Sequence, residues 1–257
     1  MIELKNTCFS YGSKPFIENF HLKFCDGALT AVIGENGSGK STLLKLMSGE
    51  LKSKSGKILI DGKDTKRLSR RETAKSLSYF PQGRDIPDMT ALELVALGRY
   101  SYRSAGLSTP KSEECRALEA LEYVGATRFA DIKLKKMSFG ERQRIYLAMQ
   151  IAQDAHNCLL DEPTNFLDAG AKFSMMESLV RLRDEGRCVV CVLHDISLAM
   201  RYADRIVVMK GGKIFADGAP EELYQNGSIC EAFNIGLDRM ETDGNVSYVT
   251  KPKKITR

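Results

Sequence analysis

The chain has 257 residues, enough for one large domain or two modest ones with a real core. With 43% hydrophobic and 28% charged residues its composition is that of a soluble globular protein, which sets aside fibrous and disordered classes. A net charge of +5 is too small to point to nucleic acid, and no apolar run approaches the roughly 20 residues of a membrane span. Met1 to Lys5 has no signal-peptide character, so the chain is expected in the cytosol, or at a membrane only through a partner. The cysteines number seven, without regular spacing. Cys188 and Cys191 resemble a C-x-x-C pair, but they lie in an apolar strand-like run, where residues three apart point to opposite faces; buried free thiols are expected.

In chain order, Ile2 and Leu4 alternate with polar residues, then Phe9 and Tyr11 alternate in the other phase. This predicts a strand with a break near Asn6. Phe20, Leu22 and Phe24 predict a second strand before an Asp26-Gly27 turn, the two forming an antiparallel β layer. Tyr11 reads either as a platform on which a base can stack or as a plain strand-end tyrosine.

Ala28 to Ile33 is a short apolar strand, and Thr42 to Met47 has helical spacing and ends near Gly49. Between them runs Gly34-Glu35-Asn36-Gly37-Ser38-Gly39-Lys40-Ser41-Thr42, which fits the phosphate-binding pattern G-x-x-x-x-G-K-[ST]. Gly37 and Gly39 let the backbone curl so that successive N–H groups face phosphate oxygens. The helix that starts here aims its positive dipole end at the same anion. Lys40 can reach β- and γ-phosphates, and Ser41 offers a hydroxyl to Mg²⁺. The loop implies a bound nucleoside triphosphate.

Lys57 to Ile60 predicts a strand closed by Asp61-Gly62, and Leu77 to Phe80 another, stopped by Pro81. Gln82 follows at once, where it could face a phosphate. From residue 83 to 155 the pattern turns helical. Thr90 with Glu93 and Ser138 with Glu141 are capping boxes, Thr109-Pro110 opens a helix, and Gly125 ends it.

Cys158 to Glu162 is a buried strand ending in two acids. Asp161 suits the acid that helps hold Mg²⁺, and Glu162 can polarise a water for attack on the γ-phosphoryl group. A helix through Phe173 to Leu182, a strand through Cys188 to Leu193 and then His194-Asp195 follow. Arg205 to Met209 and Lys213 to Phe215 form a hairpin, Pro220 opens a short helix, and a last hairpin centres on Asp243-Gly244. The basic tail Lys251 to Lys254 reads as a solvated terminus. Strands alternating with helices predict a doubly wound, mostly parallel sheet with ligands at the carboxyl ends of its strands.

These elements together resemble the ATP-binding subunit of ATP-binding-cassette (ABC) transporters over nearly the whole chain. The resemblance implies an α/β fold: a P-loop, RecA-like, mostly parallel core, an N-terminal antiparallel β layer and an inserted helical subdomain. Residues 1–82 and 156–235 would form the core with its layer, 83–155 the helical part, and 236–257 a C-terminal hairpin and tail. It implies ATP and Mg²⁺ as cofactors. Tyr11 falls at the aromatic that stacks on adenine; Gly34, Asn36, Gly37, Ser38, Gly39, Lys40, Ser41 and Thr42 fall in the Walker A loop. Gln82 is at the Q-loop glutamine, Ser138, Gly140 and Glu141 in the signature segment, Asp168 in the D-loop. Asp161 and Glu162 match the Walker B aspartate and catalytic glutamate, and His194 the switch histidine. Glu162, His194, Gln82 and Lys40 would serve catalysis, and Ser41, Gln82 and Asp161 the metal.

The implied mechanism pairs two copies head to tail across two ATP molecules, each between Walker A of one copy and the signature of the other. Phe139 departs from the family's usual Leu-Ser-Gly-Gly-Gln, where a glycine stands. Its bulk beside a phosphate leads to the expectation that closure is slower than with glycine. Met89 to Tyr100 and His194 to Gly218 look like the importer branch for iron–siderophore, haem or cobalamin. That branch implies membrane permease subunits, a substrate-binding protein and a peripheral place on the cytoplasmic face of the inner membrane. Gln82 to Tyr102 would receive the permease, or is ordinary helix core. A soluble cassette acting on ribosomes or DNA is the competing class; such relatives usually carry two cassettes or a long coiled coil, and this chain has one cassette and no heptad run.

Overall fold

In the computed structural model, which describes residues 1–83, 85–102, 110–242 and 245–253, the N-terminal alternation becomes β1 (Ile2–Tyr11), antiparallel to β2 (Lys14–Phe24). The break falls at Asn6, whose φ is 48°. The register shifts between Leu4 and Thr7, and the buried positions change phase from Ile2 and Leu4 to Thr7 and Phe9. After β3 (Ala28–Gly34), the loop leads into α1 (Lys40–Ser48), which ends on Gly49.

The next strand, β4 (Ser55–Ile60), turns at Asp61-Gly62 into β5 (Lys63–Asp64). It pairs antiparallel with β1, so the N-terminal layer is a four-stranded sheet in the order β2-β1-β4-β5. A capping box at Ser69 and Glu72 opens α2 (Arg70–Ser76), a helix that the sequence reading did not include. Then comes β6 (Leu77–Phe80).

The expected boxes at Thr90 and Ser138 open α3 (Ala91–Leu97) and α5 (Phe139–Gln153); between them lies α4 (Pro110–Tyr123). Thr109, expected at the start of α4, lies outside the described residues, as do Asp243, Gly244 and Lys254. The alternation resumes as β7 (Asn157–Asp161), α6 (Ala169–Asp184), β8 (Cys188–Val192), α7 (Ile196–Tyr202), β9 (Arg205–Lys210) and β10 (Lys213–Gly218). The chain continues through α8 (Pro220–Gln225) and α9 (Ser228–Phe233), the latter also absent from the sequence reading. β11 (Ile235–Thr242) and β12 (Asn245–Pro252) form the last hairpin.

The central sheet runs β10-β9-β3-β8-β7-β6, parallel throughout except where β10 meets β9. Its two faces carry separate cores. One packs Val32, Val190 and Val207 against Leu43, Leu44 and Met47 of α1 and Ile2 and Phe24 of the antiparallel layer. The other packs Ile33, Leu160 and Val208 against Ile145 of α5, Leu179 of α6 and Ala199 of α7. The helical segment therefore has no core of its own but shares that of the sheet. α5 is tied down at its far end, where Gln153 Nε2 donates to Ala74 O at 2.7 Å and Leu77 O at 3.0 Å.

Cys188 and Cys191 fall in opposite cores, as residues three apart in a strand must. Burial pushes the Cys188 thiol up to about 12 and raises that of Cys191 as well, so at neutral pH both stay protonated and unreactive. In the native chain at pH 8, iodoacetamide is expected to label the exposed Cys25 and Cys115 while sparing Cys158, Cys188 and Cys191, as peptide mass spectrometry would record.

Candidate nucleotide site

The phosphate loop lies at the carboxyl end of β3, and its glycines are required by space as well as conformation. A Cβ on Gly34 would meet Met209 O of β9 at 2.2 Å, so any side chain there displaces backbone. Gly39 takes φ 105° as the residue before α1, a region where an L side chain is strained. Ser38 Oγ is buried without a hydrogen-bond partner among the described residues, while Asn36 and Gly37 sit on the exposed rim. Lys40 is 5% exposed; its ammonium donates to Gly34 O at 2.8 Å and Glu35 O at 3.0 Å. Burial pulls its pKa down, and the nearby Glu162 and Asp161 carboxylates oppose that fall.

Asp161 ends β7 two strands away, and Ser41 Oγ donates to its Oδ1 at 3.1 Å. Burial raises the Asp161 pKa, the Ser41 bond lowers it, and the Glu162 charge raises it further. Two hard oxygen groups in contact beneath a lysine and a glycine cradle form a donor set that fits Mg²⁺ and a triphosphate, and the partnerless Ser38 hydroxyl suits a phosphate oxygen.

Glu162 leaves the strand with φ 54°, its N–H donating to Val192 O of β8 at 3.2 Å. That left-handed turn directs its carboxylate into three side-chain bonds. His194 Nε2 lies 2.5 Å from Oε1, while Gln82 Nε2 donates to Oε2 at 2.6 Å and Asn165 Nδ2 donates to the same oxygen at 2.5 Å. The strand ends that hold these groups are β6, β7 and β8, neighbours in the sheet. Asn165 had no role in the sequence reading; the signal lay in its spacing, three residues after Glu162, in a turn closed by Asn165 N donating to Glu162 O at 3.2 Å.

Of the three expected metal ligands, Ser41 and Asp161 are brought into contact, whereas Gln82 is joined to Glu162. Tyr11 stands 55% exposed beside the loop helix, its hydroxyl 3.0 Å from Thr42 Oγ1 and its ring edge-on to Phe16 at 5.5 Å. Ser138 and Glu141 serve each other as the capping box of α5, and Asp168 Oδ1 caps α6 by accepting from Ala171 N at 2.8 Å. A Cβ on Gly140 would touch Leu167 Cδ2 at 3.5 Å, so the first turn of α5 packs on the segment after Glu162. Among the described residues, Ser138, Gly140, Glu141 and Asp168 make no hydrogen bond to the phosphate loop of their own chain.

Phe139, the departure noted in the signature, sits in the helical first turn of α5, where backbone freedom is not needed. Its ring meets Phe166 edge to face, centroids 5.8 Å apart. The two rings help wall a cavity of about 420 Å³ that reaches Gln82 and Glu162 and is lined also by Arg142 and Tyr146.

Comparison with known proteins agrees with this geometry. The profile of the ABC transporter family matches residues 17–165. The chain is 37% identical over 236 residues to the petrobactin import ATP-binding protein FpuD of Bacillus anthracis, covering 91% of this chain and 86% of that protein. It is 37% identical over 215 residues to the ferric enterobactin transport ATP-binding protein FepC of Escherichia coli strain K12, covering 83% of this chain and 79% of that one. Among solved structures, the ATP-binding cassette MJ0796, a dimer bound to ADP and phosphate, aligns with TM-score 0.77 at 30% identity over 86% of this chain and 99% of that chain. A metal-chelate type ABC transporter in an inward-facing conformation aligns with TM-score 0.82 over 97% of this chain and 96% of that one, a likeness of fold at 23% identity. A strand–loop–helix phosphate cradle facing a buried acid pair, in a chain that this family profile matches, makes the chain a member of the ABC transporter family, an ATP-binding subunit that hydrolyses ATP to power transport.

Proposed function

We propose that two copies of this chain pair head to tail around two ATP molecules, drive an importer of iron–siderophore cargo, and work beneath membrane permease subunits fed by a substrate-binding protein. The observation that carries hydrolysis is the Glu162 carboxylate, buried yet fixed by Gln82, Asn165 and His194. It accepts the proton of a water that attacks the γ-phosphorus as the bond to the β–γ bridging oxygen breaks. His194 orients that base and faces the γ-phosphate; Gln82 links the base to the segment that meets the permease. Lys40 and the loop amides of Gly34 to Thr42 bind the phosphates. Tyr11 carries the adenine. Ser41 and Asp161 would hold Mg²⁺, with Gln82 proposed as a further ligand, and the ion would neutralise charge on the β- and γ-phosphates.

Among the described residues Ser138 and Glu141 cap α5, Asp168 caps α6, and Gly140 packs against Leu167. Serving a second copy's ATP gives them a ligand: the Ser138 hydroxyl and the first amides of a 15-residue helix suit a γ-phosphate. No helix among the described residues is long and apolar enough to cross a membrane, which fits attachment to the cytoplasmic face through permease partners. The cargo class is supported by the petrobactin and ferric enterobactin relatives. No observation favours a cassette acting on ribosomes or DNA.

Gly34→Ala is expected to weaken ATP binding at least tenfold in equilibrium titration with a fluorescent ATP analogue, because its methyl group must displace the Met209 carbonyl. Glu162→Gln is expected to lower ATP turnover by about 10²-fold or more while ATP binding persists and a paired species accumulates in light scattering. Turnover that survives this change removes Glu162 as the base. Cells carrying Glu162→Gln as their only copy are expected to stop accumulating iron supplied as a ferric siderophore; undiminished uptake would remove the cargo assignment.

A further inference from the structure

We propose that Phe139 and Phe166 are positioning residues for hydrolysis: their ring contact fixes the Glu162–Leu167 turn so that Asn165 keeps its amide on the Glu162 carboxylate. The inference rests on Glu162 as the base and adds the device that aims it.

Phe166 is an odd residue for its place. It is 86% exposed and takes φ 59°, a conformation that favours glycine or asparagine. A large aromatic held in strained backbone and left in water gains little from its own turn. What it gains is Phe139, whose ring it meets edge to face at 5.8 Å with an interplanar angle of 89°.

Phe139 is a firm anchor. It opens α5, whose start is closed by the reciprocal Ser138 and Glu141 bonds. Arg142 lies 6.0 Å from the Phe139 ring centroid, and its guanidinium also donates to Met137 O. The ring thus projects from a capped helix onto the tip of the turn. On the other side of that turn Leu167 is buried and touches the Gly140 backbone position.

Asn165 sits between these anchors. Its Nδ2 donates to Oε2 of Glu162, the same oxygen that accepts from Gln82, while Oε1 faces His194. Two amide donors on Oε2 and the His194 ring on Oε1 together fix the carboxylate plane. A turn released from Phe139 can rotate its Asn165 amide away, and the base then keeps Gln82 alone on Oε2 and His194 on Oε1. Glycine at position 139, the family's usual residue, would supply no such anchor.

The test is steady-state ATP hydrolysis by the full chain copurified with its permease, comparing Phe139→Leu, Phe166→Leu, Asn165→Ala, their double combinations, Phe139→Gly and Phe139→Tyr. Each ring or amide loss is expected to lower kcat by roughly three- to tenfold, with the KM for ATP and the thermal midpoint unchanged. Phe139→Tyr, which keeps the ring, should restore wild-type kcat. Phe139→Leu combined with Phe166→Leu, and Phe166→Leu combined with Asn165→Ala, should lose no more than either single change. The proposal is overturned if Phe139→Gly leaves kcat unchanged or raises it, as the bulk argument from sequence alone expects, or if the losses multiply in the double variants. Glu162→Gln, run in parallel, separates the two readings. If it abolishes turnover while the phenylalanine variants match wild type, the ring contact alone fails; if it retains turnover, the base assignment fails first.

Discussion

A carboxylate taken out of water must find donors, and that demand organises this molecule. Glu162 has a side-chain exposure of 8%, and its three partners come from the end of β6, the turn after β7 and the end of β8. These strands are neighbours in a parallel sheet, so their carboxyl ends lie along one edge, the edge at which the phosphate loop leaves β3. Strand order, register and the site's geometry are one requirement seen at three scales.

The same edge balances charge. Lys40 and Asp161 are both nearly buried, and burial pushes their pKa values in opposite senses, the lysine down and the aspartate up. Each is eased by the other's charge, and the Glu162 carboxylate helps Lys40 while opposing Asp161. Lys45 eases Asp161 as well, so the acidic end of the pocket offers two carboxylates to a cation while the loop end offers amides to an anion. A triphosphate accompanied by a divalent cation meets both needs at once.

Much of this was legible in the sequence because it is local. The phase change at Asn6, the capping boxes at Thr90 and Ser138 and the strand–loop–helix unit are written within a few residues each. Short helices without an apolar stripe were not legible: α2 has no buried residue at all, and α9 only two. Nor could spacing show that β4 leaves the nucleotide sheet for β1, since its alternation serves either sheet. In the site, the residue types were readable one by one. Their convergence was not, because Ser41 and Asp161 lie 120 positions apart and Gln82 and Glu162 lie 80 apart. The Phe139–Phe166 contact went unseen for the same reason: nothing in the chain order marks a turn that folds back onto the start of α5.

α5 is held along its whole length. Gln153 is pinned to the carbonyls of Ala74 and Leu77 beside the sheet, Ile145, Leu147 and Ala148 are buried in the core, and Phe139 and Gly140 at the opposite tip rest on Phe166 and Leu167. Fifteen residues of helix span about 22 Å. A rod of that length, seated on the sheet and fixed at both tips, passes a push on the helical flank to the turn that carries Asn165 instead of absorbing it.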